Sequence, residues 1–198
     1  LMKTPHLKHY QLCLLLLAFS FLLFSGMKCK KEATGFDALP TATQEGKETF
    51  GCLVNGEVFT PKGSNLGGPT LSSYYQYLNS SSANGYYFNI LAKKKSTGNI
   101  TESISLDFIS NTSLVNGKVY DLKKIDINNE TEAGYLYSNV TTSNSYKTKS
   151  ETYLGKLIIT KLDEINQIVS GTFWFDAVND KGEKVEVREG RFDVRYVK

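Results

Sequence analysis

Residues 155–197 read GKLIITKLDEINQIVSGTFWFDAVNDKGEKVEVREGRFDVRYV, and the rhythm of this stretch decides the fold. Val169, Phe173, Phe175 and Ala177 fall on one parity. Further on, Phe192, Val194 and Tyr196 alternate with Arg191, Asp193 and Arg195. A period of two is the signature of an antiparallel strand with one dry face and one wet face. Between these runs, NDKG (179–182) suits a type I turn followed by a glycine bulge. The expectation is a meander in which Phe192, Val194 and Tyr196 face a core while Asp193 faces water.

The same grammar extends toward the N-terminus. TFGCLVNGEVFTP (49–61) places two apolar stretches around Asn55-Gly56, a hairpin signal because both central residues of a type I′ turn need positive φ. SSYYQYLN and GYYFNILAKK form a second pair across 80–84, with Tyr86, Phe88 and Ile90 alternating against Tyr87, Asn89 and Leu91. ESISLDFIS sets Ile104, Leu106 and Phe108 opposite Ser103, Ser105 and Asp107. NVTTSNSYKTKSE (139–151) has no apolar rhythm and reads as a mobile loop or a polar edge strand. No amphipathic helix of useful length and no repeat stands out. The fold class is therefore all-β: a single antiparallel β-sandwich or barrel-like domain of roughly eight to ten strands over residues 49–198.

Charge separates the chain into a leader and a body. Of 23 basic residues, Lys3, Lys8 and Lys28 fall in residues 1–28, which hold no acid, leaving 20 bases against 20 acids. A neutral body has no field to collect nucleic acid. Both histidines, His6 and His9, also lie in the leader. Its removal would leave no imidazole for a Ser-His-Asp or Cys-His nucleophile or for a histidine-ligated metal. No cofactor motif is present.

LCLLLLAFSFLLF (12–24) behind Lys3 and Lys8 has the layout of an export signal, so residues 1–28 are expected to be a signal peptide. Cys29 follows, then a polar segment over 29–48 that reads as a flexible tether. This arrangement resembles a bacterial lipoprotein signal, in which Cys29 becomes the lipidated first residue. Gly26 and Lys28 depart from its usual branched and small residues. Two alternatives stay open. The uncharged run Tyr10–Met27 is near bilayer length and would serve as an inner-membrane signal anchor. In a secreted chain, Cys29 could instead oxidise with Cys52.

LPTATQEGKETFGCLVNGEVFTPKG (39–63) taken with residues 155–197 resembles small lipoproteins of Bacteroidetes-type bacteria. The likeness covers both ends of the domain and leaves a divergent middle from about residue 66 to 153. It implies an all-β envelope protein without an assigned activity, anchored to the outer membrane. Lys30 and Lys31 ahead of Glu32 lean toward the periplasm-facing leaflet.

Two residue groups are candidates for chemistry. Tyr74, Tyr75, Tyr77, Tyr86 and Tyr87 would give a hairpin aromatic faces for a glycan or a small apolar ligand, or would simply stabilise the sheet by cross-strand pairing. Asp126, Asn128, Glu130 and Glu132 alternate as oxygen donors of the kind Ca²⁺ takes, although the glycine and distal glutamate of an EF-hand loop are missing. Five sequons, at Asn79, Asn99, Asn111, Asn129 and Asn139, are incidental in a bacterial protein. The expected role is binding or structural association with a small apolar ligand, a glycan or another envelope protein. The alternative is a carboxylate-dependent hydrolase acting on glycans.

Overall fold

The computed structural model describes residues 34–63, 68–79, 84–124, 131–149 and 152–198. Cys29, the leader, and Asp126, Asn128 and Glu130 lie outside these described residues. Eleven strands follow one another: β1 (Thr49–Val54), β2 (Glu57–Phe59), β3 (Leu71–Asn79), β4 (Asn84–Ser96), β5 (Ile100–Ser110), β6 (Val119–Leu122), β7 (Thr131–Ser138), β8 (Ser143–Lys147), β9 (Gly155–Asp163), β10 (Ile168–Val178) and β11 (Lys184–Arg195). Among the described residues the only helical pieces are 3-10 turns at Gly35–Ala38 and Thr97–Asn99, and no helix is long and apolar enough to cross a membrane. The all-β expectation holds, with eleven strands against the eight to ten expected.

The strands form one antiparallel sheet in the order β2-β1-β11-β10-β8-β7-β5-β4-β3, with β9 also pairing β10 and carrying β6 on its far side. Strand β10 is where the sheet divides. Its residues from Ile168 to Phe175 pair with β9, whereas Val178 alone pairs with Lys147 of β8. One sheet thereby folds over itself into a sandwich-like body without closing into a barrel. From the β3 edge a two-bond bridge reaches the end of the chain: Val197 donates to Ser73 O at 3.0 Å and accepts from the Tyr75 amide at 2.9 Å.

The core follows the alternation in the sequence. Phe88, Ile90, Ile104, Leu106 and Phe108 of β4 and β5 are fully buried and meet Phe175, Ala177, Val187 and Val194 of β10 and β11. Burial of such side chains, at about 25 cal/mol per Å² of apolar surface, is what holds the two layers together. Asn55 (φ 50°) and Gly56 (φ 86°) both take the positive φ that a type I′ hairpin requires. The segment 139–151 yields the polar strand β8, which lies between β7 and β10 rather than at an edge.

Residues 39–48 depart from the tether reading. Leu39 is buried, and the Pro40 ring lies over Gly51, where a Cβ would come within 2.5 Å of Pro40 Cδ. The side chain of Asp193 explains the rest. Expected on the wet face, it has no exposure at all, because residues 43–47 cover it. Its carboxylate accepts from Thr43 Oγ1 (2.6 Å), the amides of Glu45 (2.9 Å), Gly46 (2.8 Å) and Lys47 (3.2 Å), and Ser170 Oγ (2.8 Å). Successive amides converging on one oxygen pair make an anion nest. Glu48 completes the clasp by accepting from the Arg195 amide at 2.8 Å.

Candidate functional site

Register decides which tyrosines can share a site. In the β3–β4 ladder Tyr77 stands opposite Tyr86 and Tyr75 opposite Phe88, so these rings project to the inner face. Tyr74 pairs with Asn89 and Tyr87 with Gln76, which turns both to the outer face. The structure therefore brings together three of the five candidate tyrosines. A fourth, Tyr196, joins them from the end of the chain: the Val197 bridge to β3 and a hydrogen bond from its own amide to Gln167 O (2.9 Å) fix its position.

These rings pack on one another. Tyr75 and Tyr86 stack with centroids 5.9 Å apart, Tyr77 meets Tyr86 edge-on at 5.0 Å, and Tyr196 meets Tyr75 edge-on at 5.4 Å. Beside them opens a cleft of about 340 Å³ whose walls include Tyr75, Tyr77, Tyr86, Tyr196, Glu164 and Lys198. Glu164 comes from the turn between β9 and β10, and Lys198 from the residue after the bridge. Tyr77 is half exposed at the mouth, while Tyr75 and Tyr196 are buried.

The hydroxyl groups differ in how they are used. Tyr77 donates to Asn84 Oδ1 at 2.8 Å, and the Tyr75 oxygen accepts from the Leu114 amide at 3.0 Å. The Tyr196 hydroxyl has no partner among the described residues. A buried polar atom left in that state costs about 1–3 kcal/mol, and few native groups are. Burial pushes the Tyr75 hydroxyl up to about 12, with Glu164 adding to the rise against the Leu114 hydrogen bond. Burial likewise raises Tyr196, again with help from Glu164 and Asp163. Both phenols therefore stay protonated near neutral pH and present O–H donors.

Ser73 Oγ on β3 is likewise buried without a partner among the described residues, whereas the acidic groups of the outer face are engaged. Asp107 and Glu132 face each other directly across β5 and β7 on the outer face. Burial raises the Asp107 carboxyl, partly offset by hydrogen bonds from Asn89 (2.8 Å) and Ser105, while Glu132 is paired with Lys147 at 2.8 Å. Of the calcium-type residues only Glu132 is described, and that ion pair occupies it. No group of three metal-ligating side chains occurs among the described residues.

A larger groove of about 610 Å³ runs between Leu39, Pro40, Phe50, Pro61 and Leu71. Its one carboxylate, Glu48, is committed to Arg195. A third hollow, about 380 Å³, exposes Trp174 beneath Arg188, whose guanidinium is spent on Phe175 O, Val187 O and Asp176. Of these three hollows, the tyrosine cleft is the one walled by aromatic rings packed on one another. Sequence reading missed Tyr196 and Glu164 as site residues. The only available signal was an inward tyrosine at the end of the last strand, which is indistinguishable from core.

The molecule is thus an all-β, sandwich-like protein with an aromatic cleft at one end. Residues 89–194 match the DUF6252 family, a domain of unknown function, and the chain belongs to that family. No curated protein and no solved structure matches it. The match takes in β5 to β11 and most of β4, including Asp193, and leaves β1–β3, Tyr86 and Tyr196 outside.

Proposed function

We propose that this chain is an exported, lipid-anchored envelope protein of a Bacteroidetes-type bacterium whose sheet domain binds a small ligand without transforming it. The leader, Cys29 and the polar residues behind it support the address. The observation that carries the binding role is the cleft itself, about 340 Å³, with the half-exposed Tyr77 ring, Tyr86, Glu164 and Lys198 in its walls. Hydrolysis by a carboxylate pair needs two acids flanking the bond to be cut. The cleft walls bring one, Glu164, and the Asp107–Glu132 pair belongs to the other face.

Two measurements test this reading. Intact mass of the protein extracted from membranes should give a chain starting at Cys29 and carrying diacyl or triacyl mass. A chain that retains residues 12–24 removes the anchor. A ligand-observed NMR screen of the detergent-solubilised protein should yield binders whose signals vanish in Tyr86→Ala. Binders that persist unchanged in that variant take the site elsewhere.

A further inference from the structure

We infer that the outer face of β9, β10 and β11 around Phe36 and Trp174 lies against the bilayer that carries the chain's own anchor, with both rings at headgroup depth. This rests on the reading of Cys29 as the lipidated residue and adds to it a fixed face of contact.

The length of the link carries the argument. A tether over 29–48 would leave the body free to turn, but Thr34–Lys198 form one compact unit. Leu39 is buried, its amide donates to Phe36 O at 3.1 Å, and the Arg191 guanidinium lies 4.5 Å from the centre of the Phe36 ring. Only residues 30–33 are left between Cys29 and Thr34. Such a link spans at most about 18 Å, whereas a body of this length is about 40 Å across. A chain anchored at Cys29 therefore keeps the side that bears Phe36 within reach of the headgroups and cannot turn its far side to them.

The chemistry of that side suits a membrane interface. Trp174 stands opposite Lys156 of β9, and Thr172, two places along the same strand, opposite Arg191 of β11, so all four side chains point to the outer face. Phe36 is 54% exposed and Trp174 37%. Exposed rings of this kind settle where hydrocarbon meets headgroups, and the stems of Lys and Arg beside them lie along apolar surface while their charges stay in water. The cations are matched: Arg188 pairs with Asp176 and Glu186, Arg191 with Glu189, and Lys156 with Asp121. A face without surplus positive charge fits zwitterionic headgroups and gives nucleic acid no field to follow. A sugar needs an open ring face to stack on, and Arg188 covers one face of Trp174 at 5.5 Å.

Trp174 is the one tryptophan of the chain, so intrinsic fluorescence reports this face and no other. The mature protein, purified from membranes with its acyl mass checked, is reconstituted into vesicles of phosphatidylethanolamine and phosphatidylglycerol, with and without a lipid that bears a headgroup nitroxide. The expected result is a fall in Trp174 emission of about 2-fold or more with the nitroxide lipid. Phe36→Ser, which trades an exposed ring and leaves the core intact, should recover most of that emission at an unchanged melting temperature. Equal quenching in Phe36→Ser overturns the two-ring contact. Acylated protein that floats with the vesicles while Trp174 stays unquenched overturns the docking, keeps the anchor and leaves the face to a protein partner. A chain that carries no acyl mass and does not float removes the anchor and the docking together.

Discussion

The amide of Gly46 donates to Asp193 Oδ1 at 2.8 Å across 147 positions of sequence. Gly46 takes φ 71°, the left-handed region that a glycine enters at little cost, and this turns its amide alongside those of Glu45 and Lys47. The contact ties residues 43–47 into the folded body. Four of the five hydrogen bonds to the Asp193 carboxylate come from residues 43–47, and the fifth, from Ser170, belongs to the neighbouring strand β10.

Replacing Asp193 therefore leaves buried donors without an acceptor. Asp193→Ala is expected to lower unfolding free energy by about 2–4 kcal/mol in urea denaturation, in line with the loss of a buried hydrogen-bond network. Residues 43–47 should become a site of limited proteolysis in the same variant. A change below about 0.5 kcal/mol would mean that water replaces the clasp at no cost.

Acid should release the same clasp. Burial alone would raise the Asp193 carboxyl, yet its five donors hold it down at about 2, below the ordinary 3.8. A depressed value stabilises the fold above about pH 4, and that contribution is lost as pH falls through about 2. Its size is on the order of 2 kcal/mol. Urea midpoints from pH 5 to pH 2 should drop more steeply for wild type than for Asp193→Asn, which cannot titrate. Parallel curves for the two proteins would refute the assignment.

Cys52 has no exposed surface and is unpaired in the structure, and burial pushes its thiol well above the ordinary range. Ellman's reagent should leave Cys52 unlabelled in the native protein and label it in guanidinium, as peptide mapping would report. Native labelling, or a recovered disulfide between Cys52 and Cys29, contradicts this.

Gly171 on β10 marks a place where two strands and a ring meet. A Cβ there would reach the Ile158 carbonyl of β9 and lie 2.6 Å from Phe192 Cζ of β11. Gly171→Ala is expected to destabilise the domain by about 1–3 kcal/mol through overpacking. An unchanged melting temperature would show that the β9–β10–β11 layer yields more readily than its packing implies.

How much was legible beforehand depends on the distance over which each residue is determined. Ile104, Leu106 and Phe108 are inward because side chains alternate along any strand, and Asn55-Gly56 turns because its backbone needs two positive φ values. Both are local properties, so the sequence alone carries them. The inner set of tyrosines was only half legible. Parity puts Tyr75 and Tyr77 on one face, but it cannot say that Tyr86 rather than Tyr87 joins them, since that follows from the pairing register of β3 with β4.

The composition and order of residues by themselves determined that this chain makes an antiparallel sheet from a stretch with balanced charge, behind an apolar N-terminal run. Tertiary structure alone decided that Asp193 is interior and that Tyr196 stands beside Tyr75. Alternation assigns a residue to a face, whereas burial depends on what covers that face. Here the cover for Asp193 comes from residues 43–47, and the neighbour for Tyr196 comes from β3, each more than a hundred positions away in the chain.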